Sequence, residues 1–157
     1  MKAFRFFVIL ACLGFLLFAG YENRAEIRSF FLGEVRQVVE ISGLKISVRV
    51  ADEPMERIQG LSGTEALGEF SGLLFVFDEN DRHGIWMKDM NYPLDIIWLD
   101  ESGRVVHIEE RVSPDSYPRT FRPNSPARYV LEVNANVVDA FGIEVGQQAT
   151  LPDGLTR

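Results

Sequence analysis

Apolar and polar positions alternate along most of this chain from Val35 onward, and the period is that of β-strands rather than helices. Val35–Ile41 and Leu44–Val50 flank Ser42-Gly43, a two-residue group suited to a hairpin turn. In the second arm Leu44, Ile46, Val48 and Val50 alternate with Lys45, Ser47 and Arg49, which gives a strand with one wet face. Asp52-Glu53-Pro54 then opens a short helix, with acids at the cap and proline in the first turn. Met55, Ile58 and Leu61 fall at i, i+3 and i+6, so they form its apolar stripe, and Gly60 or Gly63 ends it.

The run Gly72-Leu73-Leu74-Phe75-Val76-Phe77 has no polar interruption and stops at Asp78-Glu79-Asn80-Asp81. Its length predicts a strand buried on both faces. Ile85–Met90 and Leu94–Leu99 follow, separated by the turn-forming Asn91-Tyr92-Pro93, and Val105–Glu109 returns antiparallel after Asp100-Glu101-Ser102-Gly103. Residues 113–126 carry four of the seven prolines and no apolar period, so they read as a long loop. Tyr129–Val133 is the next strand. Asn136 caps one helical turn through Phe141, Gly142 ends it, and Gln148–Leu151 is the last strand. Many short strands with one or two short helices predict a mostly β domain, a small antiparallel sandwich or barrel.

The N-terminus has a different character. Lys2 and Arg5 precede Phe6–Gly20, fifteen residues without charge, which is the layout of an export signal. The run is short for a bilayer-spanning helix. Neither Leu17-Phe18-Ala19 nor Phe18-Ala19-Gly20 is a clean small-x-small cleavage site, so residues 1–20 read as a signal peptide or a membrane anchor that contacts the membrane. Residues 21–34 are a tether and 35–157 a single β-rich domain. Basic residues on the short N-terminal side favour that end in the cytoplasm, with the domain periplasmic or on the outer face of the cytoplasmic membrane, secreted or anchored.

Charge and cysteine narrow the chemistry. The first twenty residues hold two basic groups and no acid, which leaves 14 Lys and Arg against 23 Asp and Glu in the rest, a net charge near −9. That balance repels phosphate backbones, so nucleic acid is not an expected partner. The one cysteine, Cys12, lies in the apolar run, which removes disulfides, cysteine-based zinc sites and thiol nucleophiles from the domain. His83 and His107 show no ligand spacing, the serines sit in no Gly-x-Ser-x-Gly elbow, and no glycine-rich phosphate loop occurs. Neither a metal nor a cofactor is expected.

Arg57-x-x-Gly60-Leu61, the strand Gly72-Leu73-Leu74-Phe75 and the motif Trp86-Met87-Lys88…Pro93-Leu94-Asp95 follow in this order, with Val130–Val133 and Gly142-Ile143-x-Val145-Gly146 behind them. In this the chain resembles domain of unknown function family 192 from about Val35 to Leu151. It departs from that pattern at Ser62, Asp89, Met90 and Gln147. The resemblance implies a compact, β-rich, frequently exported domain and supplies no catalytic residues.

On alternation alone, Ile85 and Met87 face one way and Trp86 and Lys88 the other, while Asp95 sits on a strand between apolar neighbours. A carboxylate there must be hydrogen-bonded or paired. One reading is structural, with Asp95 accepting backbone N–H groups of the preceding turn or pairing with Lys88 or Arg57. The other makes Trp86, Lys88, Asp89, Asp95 and Arg57 the lining of a ligand site for a small glycan or amphiphile, because an indole stacks and ions orient hydroxyls. Three functions follow: an exported, envelope-associated binding or accessory domain; an extracytoplasmic hydrolase using Asp95 with Lys88 or His83; or a structural domain whose Trp-Met-Lys segment contacts an envelope protein.

Overall fold

The computed structural model describes residues 37–155. The expectations for residues 1–20 and 21–34 lie outside that range. Eight strands and two short helices make up the described domain: β1 (Gln37–Ile41), β2 (Leu44–Ala51), α1 (Pro54–Gln59), β3 (Ser71–Asp81), β4 (Ile85–Trp86), β5 (Leu94–Leu99), β6 (Val105–Val112), β7 (Thr120–Phe121), β8 (Ala127–Asn134) and α2 (Val137–Phe141). The mostly β reading holds.

Six strands form one sheet in the order β1-β2-β3-β8-β5-β6, and β4 pairs with β7 in a two-stranded ribbon. β1 and β2 pair antiparallel around Ser42-Gly43, with Ile41 opposite Leu44. Both turn residues have positive φ, 50° and 75°, as a two-residue hairpin of this twist requires. The sheet is mixed rather than wholly antiparallel, because β2 and β3 run parallel, with Val48 opposite Gly72. α1 and the segment after it carry the chain back to the starting end of the sheet, as a parallel connection needs. β3, with residues 72–76 all buried, lies between β2 and β8, which accounts for its unbroken apolar run.

The C-terminal segment joins the two edges of this sheet. Glu40 and Thr150 exchange backbone hydrogen bonds of 3.0 and 2.7 Å, while Ala149 N–H donates to Gly103 and Val105 N–H to Gln147. Residues 148–150 thus occupy the place of the expected last strand as isolated bridges; Thr150 satisfies edge groups of β1, while Gly146 and Gln147 satisfy those of Val105 at the start of β6. This bridging gives the curled sheet an inside and an outside.

The inner face packs Val39, Ile46, Val48, Leu74, Ile97, Leu99, Leu131 and Val133 with Val138 and Ile143. A second cluster lies on the outer face of β3, β8 and β5, where Leu73, Phe75, Leu94, Ile96, Trp98 and Val130 are covered by Leu61, Ile85, Met87 and Phe121. Trp98 is fully buried there and its indole N–H donates to the His83 carbonyl at 2.9 Å.

α1 begins where expected, with a capping box in which Glu53 and Glu56 satisfy each other's backbone amides. The helical part of its apolar stripe does not dock on a core. Met55 and Ile58 are 73% and 63% exposed, and only Leu61, beyond the helix, enters a core. Arg57 holds the helix instead. Its Nη1 donates to the carbonyls of Asp52 and, at 2.9 Å, Val76, and its Nη2 lies 3.7 Å from Asp78. The expected long loop carries a 3-10 turn, Pro114–Ser116, and then β7. Among the described residues no helix is long and apolar enough to cross a membrane.

Candidate functional site

A cleft opens on the outer face between the end of α1 and β4. It is lined by Arg57, Ile58, Gly60, Leu61, Ser62, Phe75, Ile85, Trp86, Met90 and Glu132, and it holds about 340 Å³ of atom-free space, part of it open to solvent. The local sequence builds both walls. Gly60, at φ 51°, turns the chain out of α1, and Arg49 Nη2 pins its carbonyl at 2.6 Å. The following residues are gripped by the Trp-Met-Lys segment: Ser62 Oγ donates to the Lys88 carbonyl at 2.8 Å and Gly63 N–H to the Asp89 carbonyl at 2.8 Å. Asn91 Nδ2 donates to the Thr64 carbonyl at 2.8 Å. Trp86 stands on the opposite wall, 46% exposed, with its ring edge-on to Tyr117 at 6.2 Å.

The floor contains a residue that the sequence reading passed over. Glu132 lies on β8 between Leu73 of β3 and Ile96 of β5, and all three side chains point to the outer face. It is 4% exposed, and its Oε2 has no hydrogen-bond partner. Burial pushes its carboxyl from the ordinary 4.5 up to about 8, with Arg49 acting in the opposite direction. Arg49 lies opposite Leu73 on β2, so Arg49, Leu73, Glu132 and Ile96 form one row across the sheet. The Tyr92 hydroxyl is raised by burial; its 2.6 Å hydrogen bond with Thr64 opposes the rise and Glu132 adds to it. At neutral pH the floor therefore presents a protonated carboxyl, a hydrogen-bond donor in an apolar setting.

Of the expected site residues, the cleft brings together Trp86 and Arg57, the latter already committed to holding α1. Lys88 and Asp89 are exposed beside it and act through their carbonyls, with Asp89 at φ 54°. Asp95 is elsewhere. It shares the inner face with Ile97 and Leu99 and is wholly buried. Its Oδ1 accepts the N–H of Arg111 at 2.7 Å and its Oδ2 that of Val138 at 2.9 Å.

Asp95 therefore takes backbone donors, as the structural reading expected, but from β6 and α2 rather than from the preceding turn. It also supplies the N-terminal cap expected of Asn136, whose φ of 73° leaves its side chain without a capping bond. Arg111, at φ 51°, is turned so that its amide faces inward. His83 stacks on Phe77 at 3.6 Å beside the outer cluster, across the sheet from Asp95, and its Nε2 meets the Glu79 carbonyl at 2.9 Å. His107 pairs with Glu109 at 3.3 Å. Among the described residues, no group of three His, Cys, Asp or Glu is placed to hold a metal ion.

The signal for Glu132 was present: an acid inside Tyr129–Val133, as Asp95 is inside Leu94–Leu99. Alternation alone does not tell which of the two lies beneath an open cleft.

Residues 37–151 match the model of family DUF192, described as an uncharacterised ACR. A UPF0127 protein from Thermococcus sibiricus is 30% identical over 103 residues, covering 64% of this chain and 63% of its own length. The chain thus spans under two thirds of that relative. A UPF0127 protein from Pyrococcus furiosus is 28% identical over 110 residues, 67% of this chain and 86% of the relative. Two crystal structures share the fold. One is of a Sinorhizobium meliloti protein provisionally named a transcription regulator, at 29% identity and TM-score 0.71, covering 75% of this chain and 95% of that one. The other is of a Novosphingobium aromaticivorans protein of unknown function, at 27% identity and TM-score 0.67, covering 73% and 81%.

Proposed function

Starting from the fact that the chain belongs to the uncharacterised family DUF192, we propose that it is a binding domain whose site is the cleft above Glu132. The observation that carries this is a buried carboxyl oxygen without a partner at the base of an open cleft whose rim holds a half-exposed tryptophan. A buried polar atom normally has a partner, and a ligand group supplies one here. Trp86 and Tyr117 offer aromatic surface to a small glycan or amphiphile, and Ile58 continues that surface onto α1.

Recognition is favoured over bond cleavage. Both oxygens of Asp95 are occupied by amides on the other face, and the cleft lining holds no serine, cysteine or histidine with a base beside it. An acidic chain with net charge −7 does not suit DNA contact, so the reading follows the cleft and not the regulatory name of the Sinorhizobium protein. Lys2, Arg5 and the uncharged Phe6–Gly20 support action outside the cytoplasm, in or on the cell envelope.

Titrating the full chain with a panel of small glycans and detergent monomers while following Trp86 fluorescence tests the site. Trp86→Phe should abolish the response with the fold intact. A panel-wide response that survives this change places binding elsewhere. A reporter fused to the C-terminus and active only after export tests the compartment, and activity confined to the cytoplasm refutes it.

A further inference from the structure

We infer that the cleft takes an uncharged ring bearing an oxygen acceptor, such as a lactam, lactone or sugar ring, which receives a hydrogen bond from Glu132. This rests on the binding reading above and names the ligand class for the same site. Each group that faces Glu132 narrows the choice. On β2, Arg49 already donates to the Gly60 carbonyl. On α1, Arg57 is held by Nη1 donating to the carbonyls of Asp52 and Val76 and by Nη2 lying against Asp78. Tyr92, in the segment before β5, is engaged with Thr64. On β6, Glu109, opposite Ile96, is engaged by His107.

An anionic ligand would need a cation free to turn toward it, and the arginine in the cleft lining, Arg57, is held in place by the carbonyls of Asp52 and Val76 and by Asp78. A cationic ligand would need Glu132 ionised, yet burial among Leu73, Ile96 and Phe75 holds it neutral near pH 7. What remains is a donor O–H in a cleft with an aromatic rim, which suits a neutral acceptor on a flat or puckered ring.

The test uses three probes of similar size on the full chain: δ-valerolactam, piperidinium and cyclohexanecarboxylate. Binding is followed between pH 6.5 and 9.5 by Trp86 fluorescence and by the Met90 methyl signal. The lactam should bind in preference to both ions and lose affinity as pH rises past about 8. Removing the proton from all but a few per cent of Glu132 at pH 9.5 corresponds to a loss of about 30-fold. Tyr92, raised above its ordinary 10.0, stays protonated over this range.

Glu132→Gln keeps a donor and should bind the lactam with no such pH dependence, whereas Glu132→Leu should lose it. If either variant fails to fold, the pH series on the unmodified chain decides alone. Lactam binding that is flat or strengthens with pH overturns the ligand class and leaves the binding reading standing. So does tighter binding of piperidinium that strengthens through pH 8. No response to any probe, or to the glycans and detergents above, overturns both.

Discussion

Glu132→Gln should make the protein more stable at pH 8 and leave it nearly unchanged near pH 4. The carboxyl titrates at about 8 in the folded chain against an ordinary 4.5. Between those values the folded state keeps a proton that the unfolded state has released. The unfolded state then binds fewer protons, so stability falls as pH rises across the window, and the loss is complete above about 8. At about 1.4 kcal/mol per pH unit, the gap corresponds to about 5 kcal/mol in full and about 3 kcal/mol at pH 7.

Glutamine has nearly the same shape and no charge to release, so the variant is free of this slope. Urea unfolding of both proteins from pH 4 to 9, followed by tryptophan fluorescence, measures it. The difference in unfolding free energy should open from near zero at pH 4 to about 3–5 kcal/mol at pH 8. A difference independent of pH would refute the buried neutral acid. A variant less stable than its parent at pH 8 would show that Glu132 is ionised and paired with Arg49, because breaking a buried pair costs about 3–5 kcal/mol.

Asp95→Ala should destabilise far more than Asp89→Ala. It strands the amides of Arg111 and Val138 in the core, about 2–5 kcal/mol for the two, whereas Asp89 is exposed; equal urea midpoints would refute this. Gly72→Ala should be destabilising by about 1–3 kcal/mol, since a Cβ there would lie 2.7 Å from the Glu132 carbonyl oxygen and 3.2 Å from Ile46 Cγ2, and an unchanged thermal midpoint would contradict it. Met55→Ala and Ile58→Ala should each change stability by less than about 0.5 kcal/mol, because both side chains stand in solvent; a loss of more than 1 kcal/mol would mean that the α1 stripe is packed after all.

Most of the architecture was legible because strand burial is a local pattern. Alternation in Leu44–Val50 and the unbroken run Gly72–Phe77 gave β2 and β3, and Ser42-Gly43 gave β1 as the hairpin partner of β2. The direction of β3 beside β2 was not legible, since a strand buried on both faces reads alike in parallel and antiparallel pairings. The exposure of the α1 stripe was not legible for a related reason: periodicity shows which residues share a face, not whether that face meets a core.

The candidate site divides along the same line. Sequence by itself marked Asp95 as an acid in an apolar strand that needs an explanation, passed over Glu132, and placed Trp86 on the side of its segment opposite Ile85 and Met87. It also determined that the domain has no cysteine chemistry and an acidic surface. Only the tertiary structure decided which side of the sheet each acid faces. The bridge through residues 148–150 makes one face an interior, where amides from β6 and α2 satisfy Asp95. The other face is covered incompletely by Leu61, β4 and β7, and the gap they leave stands over Glu132. Both carboxyls lie on strands of the same sheet; distant segments supply two amide partners to Asp95, which makes it a structural cap, and leave the buried Oε2 of Glu132 without one.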